Sequence, residues 1–136
     1  MNLPQEIVPA LQGIIPSTIA TCNAEGKPNV TILSQVYRVD DDHVALSHQF
    51  FTKTYENIRD HGKIHIQVVS PTDCTLWLIR AEFEREETAG PIFEQMDMQL
   101  EAIASMSGMQ DVFKLHSALI CKVTDVVKLE EAQRPA

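Results

Sequence analysis

The spacing of apolar residues along the chain alternates between the period of two that is typical of strands and the longer period of helices. Six segments follow the strand pattern, and turns rich in Gly, Pro and Asp separate most of them. These predicted strands cover residues 17–22, 28–39, 43–48, 63–70, 74–85 and 117–129. The first three strands follow one another too closely for crossover helices, so the pattern predicts an antiparallel sheet.

Three other segments follow the helical pattern and cover residues 4–12, 52–61 and 91–107. Pro9 interrupts the first of these helices and predicts a distortion in it. Thr52 or Thr54 can cap the start of the second, and Gly62 can end it. The third carries an apolar stripe at helical spacing. Six antiparallel strands with these helices predict a mainly β fold, a barrel whose openings the helices cover.

The length and composition suit one globular domain. The chain has 136 residues, and we expect an N-terminal helix over residues 1–13 and a barrel over residues 14–129. Its formal net charge of −8 argues against nucleic acid as a partner, because phosphate binding depends on an excess of Lys and Arg. No apolar run is long enough for a membrane span, and no signal peptide begins the chain, so we expect no membrane partner and a cytoplasmic location.

Several familiar kinds of site are missing from the sequence. The three cysteines lie far apart and form no CxxC pair, so neither a disulfide framework nor a zinc knuckle is indicated. His61 and His65 are four residues apart, but Gly62 lies between them and His65 falls in a predicted strand. We therefore predict no metal site. Glycine-rich phosphate loops and the GxSxG hydrolase motif do not occur either.

The most informative segment runs from Ser47 to Thr54, where a strand ends, two aromatic residues follow and a helix begins. A helix N-terminus offers free N–H groups and a partial positive charge, which favour a phosphate. Lys53 would add a full charge there, and Thr52 and Thr54 would add hydroxyl donors. The alternative is that one of these threonines only caps the helix and Lys53 is solvated.

The run from Ile15 to about Leu129 resembles the FMN-binding split-barrel family, the relatives of pyridoxamine 5'-phosphate oxidase. The resemblance rests on an ordered series of segments: the hairpin IATCNAEGKPNVTILSQVYRVDDDHVALS, the helix start QFFTKTYENIRDHGKIHIQV, the strand LWLIRAEFERE and, near the end, FKL followed by ALICKV. It is closest to a bacterial branch marked by a QFFxKTxxN segment, here Gln49 to Asn57.

The resemblance implies a homodimer that binds two FMN molecules in clefts between the subunits. Carried over by position, the second strand would line the isoalloxazine ring, the end of the third would meet the flavin or its ribityl chain, and the start of the second helix would hold the phosphate. The residues so implied are Thr31, Ile32, Leu33, Ser34 and Gln35, then Ser47 and His48, then Thr52, Lys53 and Thr54.

Two departures from the family pattern change what the resemblance implies. Thr54 replaces the second cation of the phosphate clamp, and Thr31 replaces an arginine that is common on the second strand, so we expect FMN affinity below that of better-clamped relatives. Only Arg134 follows the sixth strand where pyridoxamine-phosphate oxidases carry an arginine-bearing substrate segment. We therefore do not expect that particular activity.

Three functions stay open at this point. The first is an FMN-dependent oxidoreductase acting on an unidentified small molecule, in which the flavin carries the chemistry and no catalytic acid or base can be named. The second is a flavin-binding or sensor module without turnover. The third is a haem or deazaflavin protein of the same fold, with His48 or His116 as the candidate haem ligand.

Overall fold

The structure, a computed structural model, describes residues 1–106, 108 and 114–129. A 3-10 helix, Gln5–Leu11, precedes the first strand, and Pro9 lies inside it as the sequence pattern predicts. Two α-helices follow later in the chain, α1 (Lys53–His61) and α2 (Pro91–Met106). Ser107, the last residue of the predicted third helix, lies outside the described residues.

In the part of the chain that the structure describes, seven strands form one antiparallel sheet. Their bounds are β1 Ser17–Cys22, β2 Pro28–Leu33, β3 Val36–Asp40, β4 His43–His48, β5 Lys63–Val69, β6 Leu76–Glu87 and β7 Ser117–Leu129. The order across the sheet is β2-β1-β5-β6-β7-β4-β3. The edge strands β2 and β3 are consecutive in the chain, so the sheet must curl until its two edges approach each other.

The predicted strand over residues 28–39 is wrong in one respect, because it is two strands. β2 pairs with β1, whereas β3 pairs with β4 at the opposite edge of the sheet. Ser34 and Gln35 carry the chain from one edge to the other. Gln35 is buried, and its amide donates to the carbonyl oxygen of Met96 (3.0 Å) and to Oε1 of Gln99 (2.7 Å) on α2. These tertiary partners stabilise a break that the local alternation does not show.

Two hydrophobic clusters lie on opposite faces of the sheet. The larger one fills the interior and includes Val44 and Leu46 of β4. The smaller one joins Ala45 of β4 to Met96 and Leu100 of α2. Since alternate residues of a strand point to opposite faces, α2 must cover the outer face of the sheet. The helices were expected on the barrel openings, and α2 instead packs against the outer face of the sheet.

α1 packs against β1 and β2 and places Ile58 in the larger cluster. It ends at Gly62, whose φ of 73° lies in the left-handed region that glycine adopts without strain. Within the described part of the chain, no helix is long and apolar enough to cross a membrane.

Candidate functional site

An open apolar cavity of about 390 Å³ lies beside the end of β2. It is lined by Pro16, Thr31, Ile32, Leu33, Ser34, Gln49, Phe50 and Phe51. Ile32 and Phe50 have exposed fractions of 74% and 67%, which is unusual for such large apolar side chains. The volume and the apolar lining are typical of a site for a small organic molecule.

A buried hydrogen-bond network supports the wall of this cavity. The side-chain amide of Gln49 donates to the hydroxyl oxygens of Ser34 (3.0 Å) and Ser47 (2.8 Å). Ser47 in turn donates to the backbone carbonyl of Gln35 at 3.4 Å. Because Ser47 donates there, its oxygen can only accept from Gln49, which fixes the orientation of the amide. The network therefore holds the β4–α1 segment against the end of β2.

A second, polar cleft of about 310 Å³ lies between α1 and the β1–β2 hairpin. It is lined by Asn23, Lys27, Pro28, Asn29, Lys53, Glu56, Asn57 and Asp60. Two ammonium groups, those of Lys27 and Lys53, thus face one cleft together with three side-chain amides. Such donors suit an anionic group, although two carboxylates also line the cleft.

β2 connects the apolar cavity to the polar cleft. Its first residues line the cleft and its last residues line the cavity. A strand of this length spans about 20 Å. At the cleft end, the Asn29 side-chain amide donates to the hydroxyl of Thr54 at 2.8 Å and joins β2 to the first turn of α1. The site is therefore elongated, with an apolar end and a polar end that carries two lysines and two carboxylates.

His48 lies beside this site and not in its lining. Its ring stacks on Tyr55, with centroids 4.2 Å apart and planes only 4° from parallel. Nε2 lies 3.1 Å from the carbonyl oxygen of Phe51 and therefore carries the proton, while Nδ1 lies 3.4 Å from the hydroxyl of Ser117. Burial lowers the pKa of His48 below its ordinary value despite the Phe51 hydrogen bond. The Phe51 carbonyl oxygen thus accepts from Nε2, and the lowered pKa disfavours the charged form of the imidazole.

A carboxylate sits behind this histidine. Oε1 of Glu86 accepts hydrogen bonds from the Tyr55 hydroxyl and from Arg59, both at 2.7 Å. Burial alone would raise the pKa of Glu86, but hydrogen bonds from Ser117 and Tyr55 and the Arg59 charge outweigh it, and the pKa is lowered. The ionised Glu86 thus fixes the ring on which His48 stacks.

The structure distributes the ten predicted site residues over several places. Thr31, Ile32, Leu33 and Ser34 line the apolar cavity, and Lys53 lines the polar cleft. Gln35 is hydrogen-bonded to α2, Ser47 lies in the buried network, and His48 is stacked on Tyr55. Thr52 occupies the N-cap position of α1 without a side-chain capping bond, and Thr54 accepts from Asn29.

Sequence reasoning missed several lining residues. Gln49, Phe50 and Phe51 belong to the segment identified as informative, but only their neighbours were assigned to a site. Lys27 and Asn29 reach the cleft through the β1–β2 hairpin, and Pro16 reaches the cavity from the start of β1. The hairpin turn at Asn23–Gly26 was the available signal for Lys27, since it returns the chain toward the helix.

One cluster has the side-chain types of a metal site, although the sequence predicts none. Ligand atoms of Asp40, Asp42 and His43 lie within 4.8 Å of one another. Nδ1 of His43 is 2.9 Å from Asp40 and 2.8 Å from Asp42, and Nε2 is 3.0 Å from Glu84. Desolvation lowers the pKa of His43, but these carboxylates outweigh it and raise the pKa overall. Hydrogen bonds within the cluster thus account for its geometry.

Comparison with known proteins identifies the family. Residues 3–123 match the family described as pyridoxamine 5'-phosphate oxidase, which is most of the chain. The chain belongs to this family. Among curated proteins, none matches it.

Solved structures show the same fold at low sequence identity. An FMN-binding protein from Syntrophomonas wolfei superposes with a TM-score of 0.76 at 18% identity, covering 92% of this chain and 85% of that one. The haem storage protein HutZ from Vibrio cholerae superposes with a TM-score of 0.62 at 16% identity, covering 98% of this chain and 100% of that one. A protein described as F420 reductase superposes with a TM-score of 0.66 at 13% identity, covering 92% of this chain and 98% of that one. The split-barrel fold is therefore shared by proteins described with different ligands.

Proposed function

We propose that the protein binds FMN along β2, with the isoalloxazine ring in the apolar cavity and the phosphate in the polar cleft. The observation that carries this proposal is that the apolar cavity and the polar cleft lie at the two ends of the same edge strand, β2. The apolar lining, with Ile32 and Phe50 exposed, suits a flat ring. Among the described residues, β2 pairs only with β1, so its outer edge leaves backbone N–H and C=O groups free to bond the polar edge of such a ring.

The phosphate would be held by Lys53, with Lys27 on the opposite wall of the cleft. Thr54 is already engaged with Asn29, and Thr52 is exposed at the helix start. Two lysines bind a phosphate as point charges and lack the bidentate geometry of arginine. We therefore expect a weaker phosphate contribution than an arginine clamp would supply.

We propose further that two copies of the chain enclose the flavin. Val30 and Ile32 on the edge strand β2 have exposed fractions of 64% and 74%, and Phe50 next to them is also exposed. Neighbouring apolar side chains exposed in this way indicate a surface that another molecule covers. A second subunit would shield the open side of the ring from water.

Haem fits the residues less well than flavin does. An axial histidine must present a free ring nitrogen to the cavity, whereas His48 lies outside the cavity lining with Nε2 bonded to the Phe51 carbonyl oxygen. His116 is exposed, with its ring centroid 6.0 Å from that of His48, outside the cavity lining. The residues of the site therefore favour FMN over haem. Deazaflavin shares the flat ring of FMN, and competition between the two ligands separates them.

When bound, the flavin would supply hydride or electron transfer to a small molecule. This chain would bind and orient the ring through β2 and the Gln49 network. We assign no catalytic acid or base. The proposed oxidoreductase role therefore rests on the chemistry of the flavin. Steady oxidation of NADH or NADPH by the FMN-loaded protein would support this role. Flavin binding without turnover would favour a sensor.

The phosphate assignment can be tested by comparing FMN with riboflavin, which lacks the phosphate. We expect Lys53→Gln to weaken FMN binding about tenfold and to leave riboflavin binding unchanged, because one charge-assisted contact is lost. Lys114→Gln removes an exposed lysine elsewhere and is the matched control. Equal affinity of the wild-type protein for FMN and riboflavin would refute the assignment of the cleft.

A further inference from the structure

One buried polar atom in the wall of the apolar cavity has no hydrogen-bond partner. Gln49 lines the cavity and is only 5% exposed. Among the described residues, none donates a hydrogen bond to its side-chain oxygen Oε1, which is itself shielded from water. A carbonyl oxygen that has lost water and gained no donor destabilises a fold, and such groups are rare in native proteins. A donor that enters with a ligand would supply the missing partner.

The orientation of this amide follows from the partners of its nitrogen. Nε2 of Gln49 donates to Oγ of Ser34 and to Oγ of Ser47, and the Ser47 hydroxyl donates onward to the carbonyl oxygen of Gln35. Exchanging the amide nitrogen and oxygen would set Oε1 against the Ser47 oxygen, whose proton is already directed to Gln35. Both protons of Nε2 are thus used inside the wall, and Oε1 keeps the unused hydrogen-bonding capacity of the side chain.

Ser34 offers the complementary group beside this oxygen. It is half-buried, lines the same cavity and accepts from Gln49 at 3.0 Å. Within the described part of the chain, no acceptor takes its hydroxyl proton. Because a hydroxyl can accept and donate at once, this proton is available to a ligand. One acceptor and one donor therefore lie side by side in the cavity wall.

An acceptor next to a donor matches the imide edge of an isoalloxazine ring. In this edge the N3–H group lies between two carbonyl groups, so one donor is flanked by acceptors. Oε1 of Gln49 would accept from N3–H, and Oγ of Ser34 would donate to the neighbouring carbonyl oxygen. The free backbone groups of β2 remain for the other polar atoms of the ring. Haem has no imide edge, whereas a deazaflavin keeps it because the replaced nitrogen lies in the central ring.

We propose that Gln49 and Ser34 determine the ligand class of the cavity by binding this edge, so that the site takes rings with a CO–NH–CO group. The proposal rests on the proposed flavin site and deepens it. Gln49 is thus a specificity-determining residue and takes no part in electron transfer. A methyl group on N3 removes the donor and leaves both carbonyl groups, so it separates the contact of Gln49 from that of Ser34.

The test compares riboflavin with 3-methylriboflavin, with binding followed by the fluorescence of the flavin. Neither ligand carries the phosphate, so the polar cleft does not contribute to the comparison. We expect the wild-type chain to bind riboflavin about five- to tenfold more tightly, because the methylated ring cannot donate to the buried oxygen. Gln49→Leu removes that oxygen and leaves room for a methyl group, and it should bind the two ligands with equal affinity.

Two other variants separate this contact from a general effect on the cavity. Ser34→Ala loses a contact to a carbonyl group that both ligands carry, so it should weaken both about fivefold and keep the wild-type ratio of their affinities. Phe50→Leu is the matched control, because Phe50 lines the same cavity without a polar group. It should also keep the wild-type ratio. Thermal unfolding of each variant checks its fold.

The outcomes separate this proposal from the flavin site on which it rests. Equal affinity of the wild type for the two flavins, or a preference that persists unchanged in Gln49→Leu, would overturn the role of Gln49 and leave the flavin site in place. No uptake of riboflavin or FMN by the wild type would refute the flavin site and this proposal with it. If Gln49→Leu does not fold, Ser34→Ala decides, and unchanged affinity for both ligands in that variant would overturn the proposal.

Discussion

The hydrogen bond between Asn29 and Thr54 joins the two elements that border the polar cleft, and its removal has a calculable effect. Thr54 is 1% exposed, and its hydroxyl accepts from the Asn29 amide at 2.8 Å. Thr54→Val keeps the shape of the side chain and removes the acceptor. A net hydrogen bond contributes about 1 kcal/mol, and the amide left without a partner adds to the loss. We expect the free energy of unfolding to fall by about 1–2 kcal/mol.

Urea unfolding followed by tryptophan fluorescence measures this change directly. Trp77 is the only tryptophan and is buried in the interior cluster, so its signal reports global unfolding. Thr52→Val is the matched control, because Thr52 is exposed and makes no side-chain capping bond. We expect it to change the free energy of unfolding by less than about 0.5 kcal/mol.

A double-mutant cycle with Asn29→Ala isolates the pair. The coupling free energy should be about 1 kcal/mol, since the second substitution removes a partner that is already unpaired. Strictly additive effects, or equal losses in Thr54→Val and Thr52→Val, would refute the assignment of this hydrogen bond as the link between β2 and α1.

Three further outcomes follow from the structure. The folded-state pKa of His43 is raised, so protonated His43 stabilises the fold fully below its ordinary pKa, and this effect is lost as the pH rises through the folded-state pKa. The free energy of unfolding should therefore fall more between pH 5.5 and 8.5 in the wild type than in His43→Gln. Parallel pH profiles of the two proteins would contradict this. Gly13→Ala should cost at least about 1 kcal/mol in denaturant unfolding, since φ is +76° and the added Cβ would lie 2.4 Å from Cδ1 of Ile103; unchanged stability would be the contrary result. Ile32→Glu should leave the fold intact but abolish both the dimer, measured by sedimentation, and FMN binding; a dimer that persists in this variant would rule out β2 as its interface.

Much of the fold could be predicted because local patterns and tertiary structure agree. β1, β4 and β7 have the predicted bounds, and α2 buries Met96 and Leu100 of its predicted stripe. The predictions failed where tertiary contacts override the pattern. Gln35 breaks a strand because its amide bonds to α2, a partner 61 residues later. β6 begins at Leu76 instead of Cys74, because Cys74 adopts a φ of 60° in a turn and its N–H bonds to Ser70.

In the candidate site, too, sequence reasoning found residues that are adjacent in the chain and missed those that only the fold brings together. Residues 31–33 form the end of β2 and Ser34 follows it directly, so sequence reasoning named these neighbours as a group. Lys27 comes from a hairpin and Pro16 from the start of another strand, and only the folded sheet brings them to the lining. The Thr54 hydroxyl, predicted as a phosphate donor, also accepts from Asn29 on β2, a contact that the sequence does not show.

Titration of the purified protein with FMN, followed by the visible absorbance and fluorescence of the flavin, tests the central proposal most directly. We predict saturable uptake of one FMN per chain, with a shifted absorbance spectrum as the ring enters the apolar cavity. An unchanged flavin spectrum and no uptake at high micromolar FMN would contradict the proposal that β2 carries a flavin site.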